Sequence, residues 1–294
     1  MKLSIVISIL NSHEIVRRQL LHFEKMNLPN DVEFLFMDDN SDPPLSVFEG
    51  KLKNLRIIPT NNPKGAENVA AGHFVDGRVG MARNMGARLA LGEFLLMTDI
   101  DYIIPRESIE AGRVLTYDKE CFKRQFGVLL EDGNVTQNIN VMKQYGLLQK
   151  RIEGRNLLMA PHPNNFIMRK STFFEIGLSV GNKAGGYRED RVGWLYPDGH
   201  DRWFKRDWMR YFNAGKATIS PTRTTLFMFP NGWYCGDVDF NPFGLFHDKT
   251  RKNEKWPPPD SVEWAKKYHD AVADKKEEEK IIGEYVLLDV LHHF

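Results

Sequence analysis

The chain has almost no cysteine. Cys121 and Cys235 are the only two in 294 residues. They are too few and too far apart for a disulfide framework or a zinc-ligand spacing, and such a chain suits a reducing compartment. Charge of one sign is missing as well: 40 Lys and Arg face 39 Asp and Glu. That near-balance excludes the dominant basic footprint of a duplex-DNA binder, though not a local patch. Long apolar runs are also missing. Met1 to Leu10 turns polar too soon for a signal peptide or a membrane span and reads better as a buried strand. The expected location is cytoplasmic, with peripheral attachment to a membrane through the C-terminal tail left open. What is present is an ordinary globular balance, 42% hydrophobic and 27% charged, long enough for one large domain or two small ones.

Over the first hundred residues, apolar runs alternate with helical spacing. Residues 3–10 read as a strand. Asn11-Ser12 can cap a helix with Glu14 in its first turn, and Val16, Leu20 and Phe23 mark its buried face. Val32 to Met37 reads as a second strand, ending at Asp38-Asp39-Asn40-Ser41-Asp42, and Leu55 to Ile58 as a third. Thr60 to Arg78 is long and polar for a connection, which points to a working loop. Val79 to Leu91 follows a helical pattern, with Ala82, Met85 and Leu89 on one side and Gly92 placed to stop it. Strands alternating with helices predict a mainly parallel sheet covered on both faces.

The second half is less regular. Phe126 to Leu130 and Phe166 to Arg169 are strand candidates. Ser171 to Gly177 suggests a short helix with a glycine stop. Asp198 to Asn213 predicts a longer helix with Phe204, Trp208 and Tyr211 as its apolar stripe. Trp256-Pro257-Pro258-Pro259-Asp260 breaks the chain, and a charged helical tail is expected beyond it.

Chemistry concentrates where the fourth apolar run stops. Phe94 to Thr98 leads into Asp99-Ile100-Asp101. On a strand, positions two apart point to the same side, so the two carboxylates repel unless a cation joins them. Mg2+ and Mn2+ prefer such oxygen ligands. The plainer reading is a solvated strand end. In a parallel sheet, however, ligands gather beyond the carboxyl ends of the strands, where Leu10-Asn11, Asp38-Asp39 and Asp99-Asp101 all fall. Asp39 can accept the imide N–H of a uracil ring, and Asp-Asn-Ser-Asp is equally good turn chemistry. The planar fork of Arg83, beside Asn84, suits phosphate, and a surface Arg on a helix is the common alternative. Lys64 and Arg78 flank the polar loop as further phosphate candidates.

Taken together, Asp38-Asp39-Asn40-Ser41, Ala82-Arg83-Asn84-Met85-Gly86, Gly92-Glu93-Phe94 and Thr98-Asp99-Ile100-Asp101 resemble the family-2 glycosyltransferases with the GT-A fold, over about the first 105 residues. Phe166 to Ser171 with Gly185-Gly186-Tyr187 looks like the acceptor-side segment of that family. Gly199-His200-Asp201 is similar to its Gly-Glu-Asp motif, with His200 in place of Glu. The resemblance implies a Rossmann-like α/β fold with a mainly parallel sheet over residues 1–255. Residues 1–105 would be the nucleotide-sugar half, 106–255 the acceptor half, and 256–294 a helical C-terminal extension.

The implied activity is transfer of a hexose, with inversion, from a nucleotide-diphosphate sugar such as a UDP-sugar to an acceptor hydroxyl. The acceptor would be a glycan, a lipid-linked glycan, a protein or a modified nucleic acid. Asn11, Asp39, Arg83 and Asp99 would contact the nucleotide. Asp99, Asp101 and the late His247 would ligate Mn2+ or Mg2+, and Asp201 would be the base. Glu189 and Asp190 are rivals for that role, and Asp201 could instead complement the dipole of a helix capped by Asp198. Trp194 and Trp233 are acceptor-wall candidates. Two other classes stay open: a nucleotidyltransferase with the same metal site, and a non-catalytic sugar- or nucleotide-binding module.

Overall fold

A computed structural model describes residues 1–10, 12–60, 76–145, 158–159, 165–182, 185–187 and 199–228. In chain order the elements are β1 (Leu3–Ile9), α1 (His13–Met26), β2 (Val32–Asp38), a 3-10 turn (Leu45–Phe48), β3 (Leu55–Pro59), α2 (Asp76–Leu89), β4 (Phe94–Asp99), β5 (Tyr102–Ile103), α3 (Arg106–Arg113) and β6 (Lys119–Cys121). They continue with β7 (Lys123–Phe126), β8 (Val128–Leu129), β9 (Val135–Thr136), α4 (Ile139–Gln144), β10 (Leu158–Met159), β11 (Phe166–Arg169), α5 (Lys170–Ser179), α6 (Gly199–Asn213) and β12 (Thr225–Met228).

The main sheet has six strands in the order β3-β2-β1-β4-β11-β6. β1 to β4 run parallel, and β11 lies antiparallel between β4 and β6. The expected class, α/β with a mainly parallel sheet flanked by helices, is what the structure shows. β1 and β2 read as nearly unbroken apolar runs because both faces of the sheet are covered. One face carries Leu3, Ile5 and Phe34 against Val16, Leu20 and Phe23 of α1. The other carries Val6, Leu35 and Met37 against Ala87 of α2, Phe173 of α5, and Phe204 and Trp208 of α6. Each of the larger side chains stabilises the fold by about 2 kcal/mol on burial, so the two faces together hold the strand order.

Register then positions the rim. Ile9 of β1 pairs with Asp38 of β2, and Ser8 with Asp99 of β4. The carboxyl ends of three strands therefore stand level. A four-stranded second sheet runs in the order β10-β7-β12-β5. β4 ends at Asp99 in the first sheet and β5 begins at Tyr102 in the second. Ile100-Asp101 is thus the corner where the chain changes sheets.

Several local expectations change. Ser12 stands at the N-cap of α1 but does not cap it: its hydroxyl donates back to the Leu10 carbonyl at 3.0 Å. In α2 the buried side is Ala82, Arg83, Asn84 and Ala87, while Leu89 is exposed. The helix approaches the sheet too closely for a row of large side chains. A Cβ on Gly86 would sit 2.5 Å from Val6 Cγ1. Gly92 lies beyond the helix end, where a Cβ would meet the Ser4 backbone nitrogen at 2.6 Å. Gly177 does not stop α5, which runs on to Ser179; a Cβ there would fall 2.4 Å from the Gly186 nitrogen. The strand expected at 126–130 divides between β7 and β8, which lie in different sheets. The stripe Phe204, Trp208 and Tyr211 is buried as expected. The tail at 256–294 lies outside the described residues.

Candidate active site

The turn after β2 separates the roles of two adjacent acids. Asp38 holds the turn: its carboxylate accepts from the Ser41 N–H at 2.9 Å and the Leu45 N–H at 2.8 Å. The turn chemistry expected of this segment thus belongs to Asp38. Asp39 stands one residue further out, with its own N–H donating to the Ile9 carbonyl at 2.8 Å. Its carboxylate accepts from the Thr60 hydroxyl at 3.0 Å, at the end of β3. Asp39 is buried, while the N–H groups of Ser41 and Leu45 are held by Asp38.

Arg83 and Asn84 are both fully buried on α2. The Arg83 guanidinium pairs with the Asp99 carboxylate and lies 5.7 Å from the centre of the Tyr187 ring. Asn84 straps the backbone of Tyr187 from both sides, accepting from its N–H at 2.9 Å and donating to its carbonyl at 2.8 Å. One turn of helix therefore ties the end of β4 to the Gly185-Gly186-Tyr187 segment. Gly185 and Gly186 adopt φ of 71° and 64°, a region that side-chain-bearing residues rarely occupy. Phe173 and Phe174 crowd the pair as well.

Asp101 is half-buried at the corner between the sheets. Burial first, and the neighbouring Asp99 carboxylate second, push its pKa up to about 7, against the opposing pull of its own backbone N–H and then of Arg124 and Arg83. Sequence reading missed three side chains here. Gln19 of α1 donates to the Tyr102 carbonyl at 2.7 Å and to that of Ile100 at 3.3 Å. Arg124 of β7 is hydrogen-bonded to the Tyr102 hydroxyl. Asn165 accepts from the Thr98 hydroxyl at 2.7 Å, beside the β4 terminus. Gln19 alone had a usable signal, as a polar residue beside Leu20 on the buried side of a helix.

Asp99 and Asp101 supply the hard oxygen donors that Mg2+ and Mn2+ take, and their mutual repulsion is what a cation would offset. Among the described residues, no three His, Cys, Asp or Glu side chains cluster as a metal cage. Two carboxylates suit an ion that takes its remaining ligands from a diphosphate, the manner in which Mg2+ is usually held. Asp201 falls in the first turn of α6, but its side chain, with that of His200, is outside the described residues. So are Asn11, Lys64, the Arg78 side chain, Glu189, Asp190, Trp194, Asp198, Trp233 and His247. Asp39, Arg83, Asp99 and Asp101 are thus the expected site residues that the structure brings to one rim. No helix among the described residues is long and apolar enough to cross a membrane.

No family model and no curated protein matches the chain. Solved structures do resemble it. S. aureus TarS 1-349 shares 17% identity at a TM-score of 0.44 over 78% of this chain and 60% of its own. A mannosyltransferase from Pyrobaculum calidifontis, in complex with GDP-Man and Mn2+, shares 14% at 0.47 over 98% of this chain and 80% of its own. Glucosyl-3-phosphoglycerate synthase from Mycobacterium tuberculosis, in complex with Mn2+, UDP-glucose and phosphoglyceric acid, shares 13% at 0.41 over 76% and 69%. The chain thus spans less than two thirds of the TarS length it matches. With TM-scores below 0.5 these stay likenesses, and no site residue is assigned from them.

Proposed function

We propose that the chain is a glycosyltransferase of GT-A type that moves a hexose from a nucleotide-diphosphate sugar, a UDP-sugar by preference, to an acceptor hydroxyl. The observation that carries this reading is the meeting of Asp39, the Arg83–Asp99 pair and Asp101 at the level carboxyl ends of β1, β2 and β4. That rim is where an open parallel sheet binds its ligands. Asp39 is suited to accept the imide N–H of the base. Arg83 holds Asp99 in place and adds a buried positive charge beside the expected diphosphate. Asp99 and Asp101 would hold Mn2+ or Mg2+, which supplies Lewis-acid stabilisation of charge on the departing diphosphate.

Asp201, near the N-terminus of α6, is proposed as the base, because the helix dipole favours its ionised form. The acceptor oxygen would bond to the anomeric carbon as the bond from that carbon to the phosphate oxygen breaks. The acceptor proton would pass to Asp201, and the electron pair would leave with the nucleoside diphosphate. Attack opposite the leaving group inverts the anomeric centre. His247 is proposed as a third ligand by the family resemblance alone.

Nucleotide sugars screened for hydrolysis with Mn2+ test the reading. Release of UDP supports it. Release of pyrophosphate would make the chain a nucleotidyltransferase, and neither product with any donor would reduce it to a binding module. Asp201→Asn should stop turnover while sparing donor binding, and normal turnover in that variant removes Asp201 as the base.

A further inference from the structure

The geometry points to Gln19 as a positioning residue for the proposed metal-binding corner, an inference that rests on the reading above. Gln19 belongs to α1, more than eighty residues before that corner, and none of its surface is exposed. Its amide nitrogen faces two backbone carbonyls, of Tyr102 at 2.7 Å and of Ile100 at 3.3 Å. Carbonyls only accept, so the NH2 end of the amide must point at them. The two carbonyls flank Asp101. One belongs to the peptide entering it and the other to the residue after it, just where the chain leaves the main sheet for the second one.

Among the described residues, no ladder of either sheet spans Ile100-Asp101. The Asp101 carboxylate accepts from its own N–H, so the direction it takes toward Asp99 follows the backbone at this corner. One buried donor group grips that backbone on both sides. Among the described residues, the amide oxygen of Gln19 is buried with no hydrogen-bond partner, a state that costs free energy. An apolar side chain of similar length would remove that cost but leave the Tyr102 and Ile100 carbonyls without their donor. Holding Asp101 toward Asp99 is the function that offsets the cost. Gln19 touches neither substrate nor ion, and acts through the direction it imposes on Asp101.

Two variants test this, with Mn2+ affinity measured calorimetrically in the presence of UDP. Gln19→Met keeps length and packing but loses both donors. It should weaken Mn2+ binding by about tenfold or more, the usual penalty for removing an outer support of a metal ligand. Its melting temperature should fall by a few degrees, because two backbone carbonyls lose their donor, while its affinity for UDP without metal should stay at the wild-type value. Gln19→Glu, held protonated by burial, keeps one O–H donor and should fall between the two. If Gln19→Met does not fold, Gln19→Glu carries the test alone. Variants that bind Mn2+ like the wild type overturn the inference. So does a parallel loss of melting temperature and metal-free UDP binding, which marks a merely structural side chain. A wild-type protein that binds no Mn2+ with UDP present removes the parent reading, and this inference with it.

Discussion

The main sheet buries acids at both of its ends, and the two ends treat them differently. At the amino end, Glu33 is almost wholly buried and fully answered by the chain itself. It accepts from the Ser4 hydroxyl and the Leu91 N–H, and Arg56 stands 3.4 Å away. Ser4 in turn accepts from the Gly92 N–H at 2.8 Å. At the carboxyl end, Asp101 sits beside another carboxylate and is pushed up to about 7. The amino end closes its charge with internal donors, whereas at the carboxyl end Arg83 answers Asp99 and Asp101 stays crowded beside that carboxylate. Under the proposed function, a cation from outside the chain completes the second arrangement.

That contrast can be broken by experiment. Asp101→Asn should lower metal-stimulated donor hydrolysis by about a thousandfold, the several kcal/mol a Lewis acid supplies. It should leave the melting temperature unchanged or raised, because a crowded, desolvated charge disappears. Glu33→Ala should do the reverse. It leaves buried donors without an acceptor, so chemical denaturation should register a loss of about 3 kcal/mol, while the folded fraction keeps its nucleotide affinity. If Asp101→Asn destabilised as much as Glu33→Ala, the two ends would be equivalent and the contrast would be lost.

Gly177→Ala sharpens the comparison by loosening one strap of the site. Its Cβ would press on the Gly186 backbone and cost about 2 kcal/mol in denaturant melts. Nucleotide affinity should fall with it, because Asn84 ties the Gly186-Tyr187 segment to the helix bearing Arg83.

The smallest effect belongs to Glu14, in the first turn of α1. Hydrogen bonding to Arg17, joined by Arg18 and opposed by partial burial, lowers its pKa from 4.5 to about 2. The folded state therefore prefers the ionised form. Its contribution is present above pH 4.5 and is lost as pH falls toward 2. The pair is more than a third exposed, so screening keeps this below about 1 kcal/mol. Glu14→Gln should match that pattern: a small deficit at neutral pH that closes in acid, read from urea midpoints across the range.

Much of the fold was legible because β1, β2 and β4 are buried on both faces and read as unbroken apolar runs. The α1 stripe was equally plain. Leu89 misled because apolar spacing assumes a helix packed through large side chains, whereas α2 packs through Ala82, Gly86 and Ala87 and buries Arg83 and Asn84 with them. Gly177 misled because a glycine required by close approach looks the same in sequence as one that ends a helix. At the site, the acids were visible at the strand ends, but the division of labour between Asp38 and Asp39 was not. Ser41 and Leu45, which claim Asp38, are backbone donors and carry no side-chain signature.

By itself the sequence determined the class of the fold and the rim at which its acids fall. Both follow from local pattern: unbroken apolar runs mark strands covered on both faces, helical spacing marks the segments between them, and the acids stand where the runs stop. Only the tertiary structure decided which acid holds a turn, that Arg83 pairs with Asp99, and that Gln19 grips the corner at Asp101. Those partners lie on different elements, and the register between strands and the distance between layers choose among donors that local pattern cannot rank.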